Sequence, residues 1–408
     1  MKRVLVLAYH FPPEGGPAVQ RVLKFVKYLP ENGYQPVVLT AKHPLPVRDP
    51  SLMADLPEGV RVHRVMDWAA WMPSAWRRAA GRRRFPDRHI SWRKAAVAAA
   101  VRIVREEGTD LLFASSPPHS VQIIASEIAD RTGIPWVADL RDEWAMDPNV
   151  APSVRARMKR TEEETLSRCR AVVAVTPQAL KNIRAAAPAS ALLHFLPNGY
   201  DPDDFPESGP EPKPAAGRLT IAYCGRFTRK SDPAVFLNAL EDILRTRPEW
   251  ADCLRLRVIG GTGNRRAVRD LPNVMRVSEF STYQPHRSVL SVMRRADVLL
   301  LLATGTAASE VLTQKVFEYM ATGNPILAVA HGPGELTRML SAYRNARVAF
   351  QGDSAAVKRA VLRLLDDWRR GRLNRPCSSR FVRRFDRRSQ AADLSRLFDR
   401  VLRKGAAR

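Results

Sequence analysis

Two carboxylates, Glu310 and Glu318, separated by seven residues, flank a segment whose residue types suit a phosphate ester. Thr304-Gly305-Thr306-Ala307-Ala308-Ser309 is a run of small residues in which backbone N–H groups can approach a ligand. Thr313 stands where it can cap a helix with interior Gln314–Thr322, stopped by Gly323 and Pro325. The start of such a helix offers N–H donors to a phosphate, and Lys315 adds a cation in its first turn. Glu318 lies one turn further on, so it and Glu310 can face the same ligand. A carboxylate accepts two hydrogen bonds from a ribose diol, each worth about 1.5–3 kcal/mol for a charged acceptor. Taken alone, the pattern also fits an amphipathic helix carrying one exposed Glu.

A second group is Tyr223-Cys224-Gly225-Arg226-Phe227-Thr228-Arg229-Lys230, at the end of a predicted strand. Gly225 permits close approach of the backbone, and Arg226 and Lys230 place cations where a diphosphate can lie. Two other patterns are set aside. Asp201-Pro202-Asp203 has the form of an Asp-x-Asp metal motif but follows Asn198-Gly199 at a domain boundary. Gly260-Gly261-Thr262-Gly263 has the form of a dinucleotide loop, but it comes late in its half and lacks the acidic residue that should follow. It reads as a turn near the second group.

The elements that must position these residues alternate between strand and helix. Val4–Tyr9 is a short apolar run followed by a Pro- and Gly-containing loop. Val19, Val22, Leu23, Val26 and Leu29 then recur at helical spacing, and Pro36–Thr40 is the next strand. The series continues with strands at 111–114, 136–139 and 171–175 and helices around 121–131 and 154–169. Pro206–Pro214 has four prolines in nine residues and reads as a linker. A new series follows: strands at 219–223, 254–259, 297–303 and 326–330, and a helix over 235–244. The expected domains are 1–205, a linker at 206–217, 218–384, and a terminal segment 385–408. Two doubly wound halves of this kind hold ligands at the carboxyl ends of their strands, in a central cleft.

Composition agrees. The chain has 408 residues, 45% of them hydrophobic, and roughly 100–200 residues per domain predicts two domains. Its four cysteines are scattered and no histidines cluster at zinc spacing, so neither a disulfide scaffold nor a structural metal is expected, and a reducing cytoplasm fits. The first residues turn polar too soon for a signal peptide, and no run of about 18 apolar residues suggests a membrane span.

In sum these segments resemble glycosyltransferase family 4 in its two-domain GT-B architecture. Glu310 and Glu318, with Phe317–Ile326, are similar to that family's paired-glutamate motif and nucleotide-binding helix. Tyr9–Gly16 with Gln20–Phe25 is similar to its first loop and helix. Ser115–Ser120 and Asp139–Trp144 resemble two further motifs of one bacterial branch, and Thr176-Pro177 and Pro197–Asp201 also fit. The resemblance implies an α/β fold of two Rossmann-like domains and a retaining glycosyltransferase. It would move a sugar from a nucleotide-sugar donor, bound by the second half, to a glycan, lipid-linked or small-molecule acceptor held by the first. No cofactor and no metal are expected. Carried over position by position, Glu318 accepts the ribose hydroxyls, and Arg226 and Lys230 neutralise the departing diphosphate. Glu310 sits near the donor sugar, Gly16 lets backbone approach the diphosphate or sugar, and His119 contacts the sugar at the reaction centre. Competing readings are another sugar-nucleotide enzyme of the same fold (an epimerase or phosphorylase) and a basic nucleic-acid-binding protein. No acid–base set demands the former, and no nucleic-acid signature supports the latter.

The charge bears on a partner. Lys and Arg number 66 against 41 Asp and Glu, a formal net charge of +25, and Arg makes up 54 of the 66. Part of this excess reads as coding bias. Between Arg77 and Arg105, however, ten cations meet one acid, Asp87, directly after Trp68, Trp71, Met72 and Trp76. Aromatics beside cations suit an anionic membrane surface, so residues 68–105 are the expected peripheral anchor at the inner face. No specific nucleic acid is expected as a partner.

Overall fold

A computed structural model describes residues 1–45, 47–73, 75–76, 84–146, 150–205, 217–261, 263–305 and 312–406. The chain forms two compact units, Met1–Pro197 with Arg387–Arg408, and Asn198–Asp386. Of the linker expected at 206–217, residues 206–216 lie outside the described residues. Residues 198–205 pack in the C-terminal unit, where Tyr200 N donates to Phe385 O and the Tyr200 ring meets Phe205.

The N-terminal unit holds a seven-stranded parallel sheet of β1 (Lys2–Leu7), β2 (Tyr34–Lys42), β3 (Arg61–Met66), β4 (Leu111–Ser116), β5 (Trp136–Leu140), β6 (Ala171–Ala174) and β7 (Leu192–Phe195). Its order is β3-β2-β1-β4-β5-β6-β7. Side chains alternate across it, as the two-residue period of a strand requires. Val4 and Val6 meet Val19, Val22 and Val26 of the helix Pro17–Tyr28. Leu5 and Leu7 meet Val97 and Ala100 of the helix Arg93–Glu107 and Val121 and Ile124 of the helix Ser120–Thr132. The first of these cores is completed by the helix Arg387–Ala406, which buries Leu394, Leu397, Phe398 and Val401 there. Each such side chain contributes about 1.5–3 kcal/mol.

The C-terminal unit holds a six-stranded parallel sheet of β8 (Leu219–Cys224), β9 (Leu254–Ile259), β10 (Ser278–Ser281), β11 (Val298–Ala303), β12 (Ile326–Ala330) and β13 (Ala346–Phe350), ordered β10-β9-β8-β11-β12-β13. β11 is apolar along its whole length because both faces are covered. Val298, Leu300 and Leu302 pack with Ile221 and Tyr223, while Leu299 and Leu301 pack with Val316, Phe317 and Met320.

Both sheets reverse their strand order at one place, β1/β4 in the first and β8/β11 in the second. Open α/β sheets receive ligands outside the carboxyl ends of the strands at such a reversal. Among the described residues, no helix is long and apolar enough to cross a membrane.

Candidate active site

In the C-terminal unit the reversal is built from the turn after β8 and the helix Gln314–Ala321 after β11. Gly225 has φ +148°, and a Cβ there would come within 2.7 Å of Lys315 Nζ. Gly260, at φ +120°, lies against the backbone of Gly225, where a Cβ would stand 3.3 Å away. Two glycines thus let two loops and a lysine meet where side chains would keep them apart. Asn264 holds the turn: its Oδ1 accepts from Phe227 N at 2.9 Å and its Nδ2 donates to Gly225 O at 2.8 Å. Tyr223 OH donates to Arg226 O at 3.0 Å.

Arg226 and Lys230 are exposed on this loop. The Lys230 carbonyl accepts from Thr304 N at 3.1 Å and Gly305 N at 3.3 Å, which ties the loop to the end of β11. Lys315 Nζ lies 3.4 Å from Tyr223 OH and 4.6 Å from the centre of its ring. Glu318 is buried, and its Oε1 meets His286 Nε2 at 3.1 Å and Gln314 Nε2 at 3.2 Å. Gly225, Arg226, Lys230 and Lys315 therefore form one group, with Glu318 a turn along the same helix as Lys315. Glu310, in the segment 306–311, lies outside the described residues. Thr313 occupies the N-cap position, but its side chain makes no capping hydrogen bond, so the helix start leaves its N–H groups to other acceptors. Asp201 of the Asp-Pro-Asp segment turns its Oδ1 to the backbone N–H of Asp203, a local turn-closing bond.

In the N-terminal unit, Gly16 precedes the helix Pro17–Tyr28 with φ +98°, a conformation that favours glycine. His119 precedes the helix Ser120–Thr132 and stacks flat on Trp144, ring centres 5.1 Å apart and planes 4° apart. Arg141 couples the two loops by donating to Ser116 O, Pro117 O and Ala18 O. Beneath them, Arg21 is 1% exposed and forms a two-pronged pair with Asp139, while its remaining donors reach Leu196 O and Pro197 O. Ser115 Oγ adds a 2.6 Å bond to Asp139.

Sequence reasoning missed a polar cluster at the ends of β1 and β2. Glu14 Oε2 meets His10 Nδ1 at 2.8 Å and His43 Nε2 at 3.2 Å. Burial alone would raise the Glu14 carboxyl, but the hydrogen bonds from His10 and His43 hold it down at about 2. Burial likewise opposes the His43 charge, and Glu14 overcomes it, raising His43. His89, edge-on to Tyr9, is pushed down to about 3 by burial and by Arg88, so it is neutral. Tyr9 OH donates to Asp67 Oδ2 at 2.7 Å. His10 lies in the Tyr9–Gly16 loop, but His43, 33 residues later, carries no spacing signal. His286 and Asn264 were also missed, being single polar residues at the first positions of the helix His286–Arg295 and the short 3-10 turn Asn264–Val268.

Residues 15–199 match the family model described as glycosyl transferase 4-like domain, and residues 218–367 match the one described as glycosyl transferases group 1. With two Rossmann-like domains, each matching a glycosyltransferase domain, the chain is a glycosyltransferase of the GT-B class. Within that class it joins a 4-like N-terminal domain to a group 1 C-terminal domain. The fold is similar to that of a sucrose-phosphate synthase from Thermosynechococcus elongatus, with TM-score 0.71, 16% identity and coverage of 99% of this chain and 100% of that one. HepE of Anabaena in complex with UDP and glucose gives TM-score 0.67 at 15% identity, covering 98% and 100%. A glycosyltransferase from Rickettsia africae gives 0.62 at 12% identity, covering 100% and 97%. No curated protein matches the chain.

Proposed function

We propose that the chain is a retaining glycosyltransferase of family 4, moving a sugar from a nucleotide-sugar donor to a glycan, lipid-linked or small-molecule acceptor. One observation carries the reading. At the strand-order reversal of the C-terminal unit, a glycine turn, three cations, a helix start and, one turn along that helix, a buried carboxylate come together. That combination serves a nucleoside diphosphate: N–H groups and Lys315 for phosphate, Glu318 for the ribose. Arg226 and Lys230 are assigned to the charge that develops as the diphosphate leaves, where electrostatic help lowers the barrier most. Glu310 is assigned to the donor sugar. From the N-terminal unit the reading takes His119 for contact with the sugar and Gly16 for close backbone approach.

HepE was solved with UDP and glucose, so UDP-sugars lead the donor screen. The test is thermal shift with UDP-, GDP- and ADP-sugars, followed by NMR of the product anomer. A ligand at 100 times its Kd adds roughly 2.7 kcal/mol. Failure of every nucleoside diphosphate to raise the melting temperature sinks the donor assignment, and an inverted product sinks retention. Transfer is expected to survive EDTA. The acceptor side of the proposal places the protein in the cytoplasm, peripheral on the inner face of the membrane. Trp68, Trp71 and Trp76 are 74%, 52% and 67% exposed, which supports an interfacial anchor. Co-sedimentation with anionic vesicles checks this, and its absence at low salt ends it.

A further inference from the structure

We propose that the N-terminal unit binds one divalent transition-metal ion, with Zn²⁺ the best fit, through His10, Glu14 and His43. Among the described residues, these three are the one group of metal-donor side chains that converges, with donor atoms all within 4.8 Å of one another. The contacts of 2.8 and 3.2 Å to Glu14 are close to what an ion needs. Tetrahedral bonds of about 2.0–2.1 Å set the donors roughly 3.3 Å apart. The two contacts to Glu14 have to open by a few tenths of an ångström at most, and the two imidazole nitrogens, within 4.8 Å of each other, settle to the same spacing.

The scaffold holds the donors where they are. His10 follows β1 and His43 follows β2, paired neighbours in which Leu7 stands opposite Leu39. Past the strands the pairing continues, Ala8 N donating to Leu39 O and Ala41 N to Tyr9 O. Glu14 is fixed by its own bridge to Arg48, beyond the end of β2. His43 Nδ1 bonds the Pro44 carbonyl at 2.9 Å, which leaves Nε2 facing Glu14. A backbone carbonyl on the far nitrogen is the usual outer-shell support of a metal-binding histidine, because it fixes tautomer and ring direction. Tyr9 stacks on the His43 ring, centres 4.8 Å apart, and turns an edge to Trp92, giving the site an apolar wall.

Exposure gives the ion a way in. The Glu14 and His43 side chains are 6% and 7% exposed, whereas His10 is 23% exposed. Two donors are set from within, and the third borders solvent. Three protein donors leave a fourth position for water or a ligand oxygen. Two imidazoles and one carboxylate suit zinc and its neighbours rather than Mg²⁺ or Ca²⁺, which call for oxygen donors. Bound there, the ion would clamp the loop 10–15 to the end of β2. None of the three donors is a residue assigned to the nucleotide sugar, so the metal titration and the donor screen can fail separately.

The test uses tag-free full-length protein, stripped with chelator and titrated with Zn²⁺ by calorimetry and with Co²⁺ by visible absorption. One Zn²⁺ per chain, the strong d–d bands of four-coordinate Co²⁺, and no response to Mg²⁺ are expected. His10→Ala and His43→Ala should each lower Zn²⁺ affinity by more than the roughly 10–100-fold typical of outer-shell changes. His331→Ala, a change in the C-terminal unit, should leave it unchanged. Circular dichroism of each variant separates ligand loss from unfolding. If a histidine variant does not fold, stoichiometry and Co²⁺ spectrum of the parent decide. Absence of a stoichiometric ion in the parent, or a folded His10→Ala/His43→Ala double variant that binds Zn²⁺ as tightly, overturns the proposal and leaves a buried ion pair only.

Discussion

The two units treat their polar groups in opposite ways. At the reversal of the C-terminal sheet, Arg226 and Lys230 are exposed and, among the described residues, anchored through their backbones. At the reversal of the N-terminal sheet, Arg21 and Asp139 are 1% and 0% exposed and spend their bonding capacity on each other and on loop carbonyls. An exposed cation can meet an incoming polyanion without first giving up a partner. A buried pair instead fixes the backbone on which other groups ride, and removing one member strands the other charge in a low dielectric. Similar residue types therefore serve ligand exchange in one unit and positioning in the other.

One deletion and three substitutions, with Arg226→Ala as a control, break or sharpen this contrast, the largest effect first. Ending the chain after Asp386 removes Leu394, Leu397, Phe398 and Val401 from the N-terminal core, at about 2–5 kcal/mol for each large side chain. The N-terminal unit should lose its calorimetric transition while the C-terminal unit keeps its own, and two surviving parental transitions would contradict the packing. Arg21→Ala should cost about 3–5 kcal/mol in urea denaturation. Arg226→Ala should shift it by no more than about 0.5 kcal/mol. Equal losses from the two would erase the distinction.

Glu162 tests the N-terminal unit where pairing fails. Burial, then the charges of Glu143 and Glu163, outweigh a bond from Ala145 and raise its carboxyl to about 7. A raised acid favours the folded state only while protonated, so its effect turns against folding as pH climbs from about 4.5 to 7. Glu162→Gln should leave stability unchanged below pH 4 and raise it by about 3 kcal/mol above pH 7. Parallel stability–pH curves for parent and variant would refute this. Glu318→Ala should weaken nucleoside diphosphate binding by about 1.5–3 kcal/mol with the circular dichroism spectrum retained. Unchanged affinity in calorimetry would remove Glu318 from the donor site.

What could be read in advance followed burial. The central strands β1, β4, β8, β11 and β12 announce themselves as unbroken apolar runs because both their faces are covered. The strands that went unseen, β3, β7, β10 and β13, are the four sheet edges. They are partly exposed and mix in residues such as Arg61, His194, Glu279 and Arg347, which dilutes the signal. The same holds for the sites. Gly225 and the helix carrying Lys315 and Glu318 are contiguous stretches with a local physical meaning. His286 reaches Glu318 across 32 residues and His43 reaches Glu14 across 29, contacts that only the register of the sheets creates.

The helix Arg387–Ala406 also sets a timetable for biosynthesis. The residues from Asn198 to Asp386 that separate it from the rest of its unit form the other unit entire. At roughly 5–20 residues per second, those ~190 residues take on the order of 10–40 s to translate. Throughout that interval Tyr34 and Phe113 await Phe398, whose ring will finally lie 5.3 and 5.6 Å from theirs. The first unit to emerge from the ribosome is the last to be completed, and its uncovered apolar face is what a nascent-chain chaperone would meet.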